Sequence, residues 1–217
     1  SHDFTPIVND TLDDNAPLAA VLDSGVFTGN PLLRTVVIAE EEFDTTEHTT
    51  TDLNGHGTGV AGIVVYGNFH NSVESRIFTP LVRICNGKIM HDEFGNPYFP
   101  EDVRPEKVVK DAITYFHNTY GCRIFNLSAG NGECIYQGGR QFPWASMLDD
   151  LSRELDIVIV ISAGNVPNPL INQFSSRDEL MKKSRDQLFD PEHRLIDPAT
   201  SALNVTVGSI TRSSEPA

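Results

Sequence analysis

The sequence predicts an α/β protein, a three-layer α/β/α sandwich in which helices cover both faces of a mainly parallel sheet. The first supporting observation is a set of six short apolar runs rich in β-branched residues, at 18–22, 35–39, 77–84, 124–127, 157–161 and 203–210. Runs of this length and composition are typical of strands that are buried on both faces. The second observation is that stretches with helical periodicity lie between the runs. Strands that alternate with helices pair in parallel through right-handed crossovers.

The two clearest helices are marked by apolar residues that recur every three or four positions. The first stripe consists of Val108, Val109, Ala112, Ile113 and Phe116. The second stripe consists of Trp144, Leu148, Leu151 and Leu155, and it follows Pro143, which suits the first turn of a helix. Each stripe predicts an amphipathic helix that packs against the sheet.

We expect one domain over residues 1–217, because the length suits a single core and no Gly-rich or Ser-rich linker divides the chain. Two segments are predicted to be surface insertions in this domain. Residues 86–104 are rich in Gly, Pro, Asp and Glu and lack apolar periodicity. Residues 167–198 are polar, with one predicted helix around 178–188.

The formal net charge of −14 excludes two classes of partner. A chain this acidic repels the phosphates of nucleic acids and of anionic lipids, and no cluster of Lys and Arg offsets the repulsion locally. No apolar run reaches the length of a membrane span. We therefore expect binding neither to nucleic acid nor to a membrane.

The three cysteines, Cys85, Cys122 and Cys134, form neither a C-x-x-C pair nor an even-numbered framework. This spacing argues against a fold built on disulfides or zinc, so free buried thiols are predicted. No metal and no other cofactor is predicted. The cysteine usage and the absence of a charged and then apolar leader favour a cytoplasmic setting, although secretion stays open.

Two segments place a titratable side chain where catalysis could use it. Asp23 ends the first predicted strand in Leu-Asp-Ser-Gly. The carboxyl ends of strands in an open α/β sheet gather catalytic groups, although Asp-Ser-Gly alone is more often a turn. His56 lies in Asn-Gly-His-Gly-Thr-Gly, just before a predicted helix of small residues. Glycines on both sides let other backbone approach the imidazole closely, which is unusual for a merely structural histidine.

Two further strands lead into small or amide residues. Asn165 follows Ile-Val-Ile-Ser-Ala-Gly. Its side chain can donate a hydrogen bond without carrying charge, which suits an oxyanion that exists only in a transition state. The strand Ile-Phe-Asn-Leu leads into Ser128, Ala129 and Gly130. Taken singly, each of these segments is compatible with an ordinary strand end.

In this order, the four segments resemble the subtilase family of serine peptidases, typified by subtilisin. The segments are Leu-Asp-Ser-Gly at 22–25, Gly-His-Gly-Thr-Gly-Val-Ala-Gly at 55–62, Asn-Leu-Ser-Ala-Gly at 126–130 and Ser-Ala-Gly-Asn at 162–165. The histidine segment is the most specific of the four. The resemblance extends from about residue 18 to residue 210 and implies a subtilisin-like fold.

The resemblance implies a role for each matched residue. Asp23 would orient the imidazole of His56 and stabilise its protonated form, and His56 would be the general base. Asn165 would contribute to the oxyanion hole. The last matched segment is Ser128, Ala129 and Gly130. In subtilisins this segment pairs with the substrate backbone and borders the primary specificity pocket.

The nucleophilic serine is the member that these 217 residues lack. In subtilases a Gly-Thr-Ser segment follows the strand that residues 203–210 resemble, and no serine of the chain stands in such a segment. We therefore expect a C-terminally truncated catalytic domain, inactive by itself, whose parent is a serine endopeptidase that acts on polypeptides.

Two alternatives to an isolated protease fragment stay open. The first is a catalytically inactive, subtilase-like module that binds peptides without cleaving them. In the second, the chain pairs with the C-terminal remainder of its own domain. Loss of that remainder would expose a sheet edge and apolar surface, and oligomerisation or marginal stability would follow.

Overall fold

The computed structural model describes residues 5–43, 48–93, 95–165, 176–179, 181 and 191–208. Its helices are α1 (His56–Tyr66), α2 (His70–Ser75), α3 (Pro105–Tyr120) and α4 (Pro143–Leu155), with a short 3-10 turn at Pro191–His193. Its strands are β1 (Ile7–Val8), β2 (Leu18–Asp23), β3 (Val37–Glu42), β4 (Ile77–Phe78), β5 (Arg83–Lys88), β6 (His91–Glu93), β7 (Asn96–Tyr98), β8 (Ile124–Leu127), β9 (Asn131–Ile135), β10 (Val158–Ser162), β11 (Ile196–Asp197) and β12 (Val205–Val207).

Six of these strands form one sheet, in the spatial order β12, β10, β8, β2, β5, β3. Every neighbouring pair is parallel. Helices connect β3 to β5, β5 to β8 and β8 to β10, as is usual for parallel strands, whereas β2 leads to β3 through turns. The predicted α/β class with a mainly parallel sheet is confirmed.

Helices cover both faces of the sheet. On one face, α3 and α4 share a core with alternate residues of the central strands, among them Leu22, Phe125 and Ile159. On the opposite face, α1 shares a second core with Val21 of β2 and Ile84 of β5. Because Val21 and Leu22 are successive residues of one strand, their side chains point to opposite faces, and the layers are helix, sheet and helix.

The two strongest helix predictions are confirmed. All five residues of the first predicted stripe are buried in α3. In α4, three of the four predicted residues are buried and Leu155 is partly buried against the same core. Both helices begin with a proline. Gly121 caps the C-terminus of α3, and its φ of 70° lies in the left-handed region that glycine adopts readily.

Three predicted strands have different bounds in the structure. The run at 77–84 forms two strands, β4 and β5, because Pro80 lies between them and has no amide to donate to a ladder. The run at 35–39 is displaced into β3, an edge strand that extends through the partly exposed Glu41 and Glu42. The last run contains β12, while residues 209 and 210 lie outside the described residues.

The predicted surface insertion at 86–104 needs a correction at its start. Asn86 and Lys88 belong to β5 and are fully buried. Polar side chains can be buried where they form hydrogen bonds with acceptors of the protein. The Asn86 amide donates to Thr50 O at 3.0 Å, and Lys88 Nζ donates to Thr51 O at 3.1 Å. Part of the rest of the segment forms the β6–β7 hairpin.

Most of the second predicted insertion, including most of the predicted helix at 178–188, lies outside the described residues. Its last residues are not on the surface. Asp197 is buried, and its Oδ1 accepts the backbone amide of Ala145 at 2.9 Å, at the start of α4. Within the described ranges, no helix combines the length and the apolar character needed to cross a bilayer.

Candidate active site

Asp23 and His56 are in direct contact, although they lie 33 positions apart in the chain. Asp23 is the last residue of β2 and His56 is the first residue of α1. The Nδ1 atom of His56 lies 2.7 Å from Oδ1 of Asp23. The aspartate side chain is 1% exposed and that of the histidine is 46% exposed. The pair therefore consists of a buried carboxylate and an imidazole that solutes can reach.

The close approach of α1 to the end of β2 depends on Gly57. A β-carbon at this position would lie 2.1 Å from the carbonyl oxygen of Gly25 and 3.2 Å from Oδ1 of Asp23. No side chain larger than hydrogen fits between these two segments. The glycines beside His56 were predicted to permit close backbone approach, and Gly57 does so; at Gly55 the left-handed φ of 92° is the constraint.

The hydrogen bonds around Asp23 fix the tautomer of the histidine. Oδ1 of Asp23 also accepts the backbone amide of Ser24 at 2.7 Å, which holds the carboxylate in place. A carboxylate only accepts hydrogen bonds, so the proton between the two side chains lies on Nδ1 of His56. Nε2 is then the ring nitrogen that can exchange a proton with another group.

Asp52, a residue that the sequence did not single out, organises the loop that leads into α1. Its Oδ1 accepts the backbone amides of Asn54 and Gly55 at 3.2 and 3.0 Å, and its Oδ2 accepts the amide of Thr58 at 2.8 Å. The hydroxyl of Ser24 lies 3.2 Å from Oδ1 of Asp52. The available signal was Asp-Leu-Asn-Gly before a helix, since an Asp that bonds the amide two residues later forms an Asx turn.

The two carboxylates act on the titration of the histidine in the same direction. The hydrogen bond with Asp23 raises the pKa of His56 above its ordinary value, burial opposes this, and the charges of Asp23 and Asp52 add to it. Burial alone would raise the pKa of Asp52, but the hydrogen bonds from Thr58, Gly55 and Asn54 outweigh it and lower that pKa. The positive form of His56 is therefore favoured by an anionic surrounding.

The remaining predicted site residues lie at the same edge of the sheet. Leu127 of β8 pairs with Leu22 of β2 and with Ile161 of β10, so these three strands end side by side. Ser128, Ala129 and Gly130 follow β8, and Gly164 and Asn165 follow β10. Ala129 is buried, whereas Gly130 and Asn165 are exposed. Parallel strands bring the predicted residues to one rim, the position expected for a ligand in an open α/β sheet.

The three cysteines contain free thiols. Cys85 and Cys122 are buried with their sulfur atoms 3.7 Å apart, and Cys134 is partly buried. The hydrogen bond from Cys122 and burial raise the pKa of Cys85. Among the residues that the structure describes, no group of three or more His, Cys, Asp or Glu side chains is placed to hold a metal ion.

Comparison with protein families identifies the chain. The family model described as the subtilase family, peptidase S8, matches residues 14–217, and the chain belongs to this family. A curated relative, the uncharacterized protein y4bN of Sinorhizobium fredii (strain NBRC 101917 / NGR234), is 37% identical over 102 residues. That match covers 47% of this chain and 23% of the relative.

Solved structures show the same fold. An S41 psychrophilic protease matches 91% of this chain and 55% of its own, with 21% identity and a TM-score of 0.58. MycP1 from Mycobacterium smegmatis matches 89% and 51%, with 18% identity and a TM-score of 0.55. The prenylagaramide maturation protease PagA matches 93% and 56%, with 21% identity and a TM-score of 0.52. The chain spans between half and three fifths of the length of these structures.

Proposed function

We propose that the protein containing this chain is a serine endopeptidase that hydrolyses peptide bonds through Asp23, His56 and a serine outside these 217 residues. The observation that carries the proposal is the 2.7 Å contact between His56 Nδ1 and Asp23 Oδ1. A buried carboxylate behind a half-exposed imidazole is the arrangement that activates a hydroxyl nucleophile. Membership of the subtilase family supports the same reaction.

In the proposed reaction, His56 takes the proton of the serine hydroxyl at Nε2 while the serine oxygen attacks the carbonyl carbon of the peptide. Asp23 stabilises the imidazolium that forms and keeps its orientation. The amide of Asn165 donates to the oxyanion of the tetrahedral intermediate. His56 then gives the proton to the leaving amine, and a water molecule repeats the sequence on the acyl-enzyme.

The substrate backbone is proposed to lie along Ser128, Ala129 and Gly130. These residues extend β8 toward the rim where Asp23 ends β2. Backbone groups beyond the end of a strand can pair with an extended peptide, which adds a short strand to the protein. The substrate would then pass His56 in an extended conformation.

We also propose that the rest of the catalytic domain covers an apolar face of the sheet. One face of the sheet is covered by α1 over β2 and β5. On the same face, the neighbouring strands β8, β10 and β12 leave four apolar side chains between 44% and 50% exposed, namely Ile124, Val158, Val205 and Val207. Val158 pairs with Ile124, so these side chains are adjacent. A contiguous apolar face on a sheet is normally covered by another element, and this chain covers only 56% and 55% of the length of two of the solved structures that it matches.

The experiment that tests the peptidase proposal is labelling with a fluorophosphonate, which the activated serine attacks with loss of fluoride. The protein encoded by the full gene should be labelled. Its His56→Ala variant should react about 10²- to 10⁴-fold more slowly, because the general base is lost. The control is His70→Ala, since His70 lies on α2 and is 73% exposed. It should react like the wild type.

Each other outcome has a defined meaning. Equal labelling of the wild type and the His56→Ala variant would refute the role of His56. A complete protein that is folded, takes no label and cleaves no peptide would refute the peptidase proposal and leave a peptide-binding module. The 217 residues expressed alone should take no label, and a label on them would show that the nucleophile lies within the chain.

A further inference from the structure

The two segments that are proposed to contact the substrate follow neighbouring strands, and the space between their glycines, Gly130 and Gly164, is called the slot below. Gly130 follows β8 and Gly164 follows β10, and these strands are paired through Ile161 and Leu127. In the proposed binding mode the substrate backbone lies along Ser128–Gly130 and the attacked carbonyl faces Asn165, so the side chain next to that carbonyl, the P1 side chain, points between the two glycines. In that mode the room between Gly130 and Gly164 decides which P1 residues fit.

The side chain of Ile196 already occupies this slot. A β-carbon added to Gly164 would lie 2.7 Å from both Cγ1 and Cδ1 of Ile196. A β-carbon added to Gly130 would lie 2.9 Å from Cδ1 of the same residue. Both distances are too short for a real β-carbon, so the Ile196 side chain occupies the space that a side chain at either position would need. Ile196 therefore packs directly against the backbone of both glycines. Its side chain is itself partly buried.

Hydrogen bonds on both sides hold Ile196 in this position. It lies in β11, which pairs antiparallel with β9 through Ile196 and Ile135. The carbonyl of Leu195 accepts the amide of Tyr136 at 2.9 Å, and the carbonyl of Ile196 accepts the amide of Ala199 at 2.7 Å. A β-branched side chain on an anchored backbone has few alternative rotamers, so Ile196 cannot easily leave the slot.

We propose that Ile196 is a specificity-determining residue, which closes the floor of the slot and restricts P1 to residues the size of Gly, Ala or Ser. This inference rests on the proposed peptidase function. A Leu or Phe at P1 would have to displace the Ile196 side chain from two backbone surfaces. A packed apolar site rejects such added volume. The expected substrates are therefore polypeptides with a small residue on the acyl side of the cleaved bond.

The test measures kcat/KM of the protein encoded by the full gene on peptides that differ only at P1, with Gly, Ala, Leu and Phe. The wild type should prefer Ala to Phe by at least about 100-fold. Ile196→Ala should shift this ratio toward Phe by about 10- to 200-fold, because it removes several carbon atoms from the slot. Ile196→Val, which removes one methylene group and keeps the branched β-carbon, should give a smaller shift in the same direction.

The matched control is Leu195→Ala, the same loss of volume one residue earlier. Leu195 is 40% exposed and its side chain is not among the close neighbours of either glycine. The control should leave the P1 preference unchanged. A wild type that cleaves after Phe as readily as after Ala, or equal shifts at Leu195 and Ile196, would overturn the inference and leave the peptidase proposal intact. Failure to cleave any peptide would overturn both.

Discussion

Two glycines of the same helix should respond oppositely to the same substitution. Gly57 and Gly59 both lie in the first turn of α1, and neither has a left-handed φ. Alanine in a helix is favoured over glycine by about 0.5–1 kcal/mol, because glycine loses more conformational freedom on folding. A β-carbon at Gly59 would have nothing within 4 Å. Gly59→Ala should therefore stabilise the chain by about 0.5–1 kcal/mol.

The same substitution at Gly57 would bring the added β-carbon into a clash with main-chain atoms. The added carbon would lie 2.1 Å from the carbonyl oxygen of Gly25, which is more than about 1 Å short of a normal contact. This oxygen belongs to the main chain, so α1 and the segment that follows β2 must separate. Overpacking of this kind costs about 1–3 kcal/mol. The two variants should therefore differ by about 1.5–4 kcal/mol in the free energy of unfolding.

The assay is urea unfolding of the 217-residue chain and of both variants, followed by thermal unfolding. For a chain of this size, a difference of about 1.5–4 kcal/mol separates the melting temperatures by about 3–16 °C. In Gly57→Ala, separation of the segments also stretches the Asp23–His56 hydrogen bond, so the pKa of His56 should fall toward its ordinary value. A Gly57→Ala variant as stable as Gly59→Ala would refute the reasoning.

Three further predictions concern charges and the exposed face. The pKa of His56, followed by NMR, should fall in Asp23→Asn and less in Asp52→Asn, because the hydrogen bond with Asp23 is the main cause of the raised value. Because the folded protein raises the pKa of His56, protonation of His56 stabilises the fold. This stabilisation is complete below pH 6.5, the pKa of an unfolded histidine, and is lost as pH rises through the pKa of the folded protein. Asp23→Asn should therefore lose more stability at pH 5.5 than at pH 8. Asp149 has a lowered pKa, because hydrogen bonds outweigh its burial. Asp149→Asn should therefore cost about 1–3 kcal/mol at pH 7, and acid titration should shrink the difference as pH falls below 3.8. Val158→Asp should destabilise the protein encoded by the full gene but not the 217-residue chain. The control is Val73→Asp, on α2, which should change the stability of the full-length protein and of the 217-residue chain equally. Unfolding experiments on both proteins check this.

The elements that were predicted well have local patterns that match their packing. The stripes of α3 and α4 repeat at the helical period because one side of each helix is buried against the sheet. The run at 18–22 is apolar throughout because β2 is a central strand with a core on both faces. Composition alone therefore identified β2.

Errors arose where tertiary contacts override the local pattern. The acidic end of β3 looks like a loop in the sequence, but an edge strand tolerates charged side chains that stay partly exposed. Lys88 is fully buried at the end of β5, where its Nζ donates a hydrogen bond to Thr51 O. Burial of such residues depends on partners from distant loops, and the sequence around Lys88 contains no sign of them.

In the candidate site, too, some residues could be predicted from local sequence and others could not. Asp23 and His56 stand in short segments whose glycines and strand ends are visible in the sequence, so the pair could be predicted before any distance was known. The residue that fills the slot beside them could not. Gly130, Gly164 and Ile196 come from three separate parts of the chain, and only the pairing of β11 with β9 brings Ile196 to the two glycines. A family motif thus predicts which bond type the protein would attack, whereas the proposed choice among substrates rests on a side chain that the motif does not include.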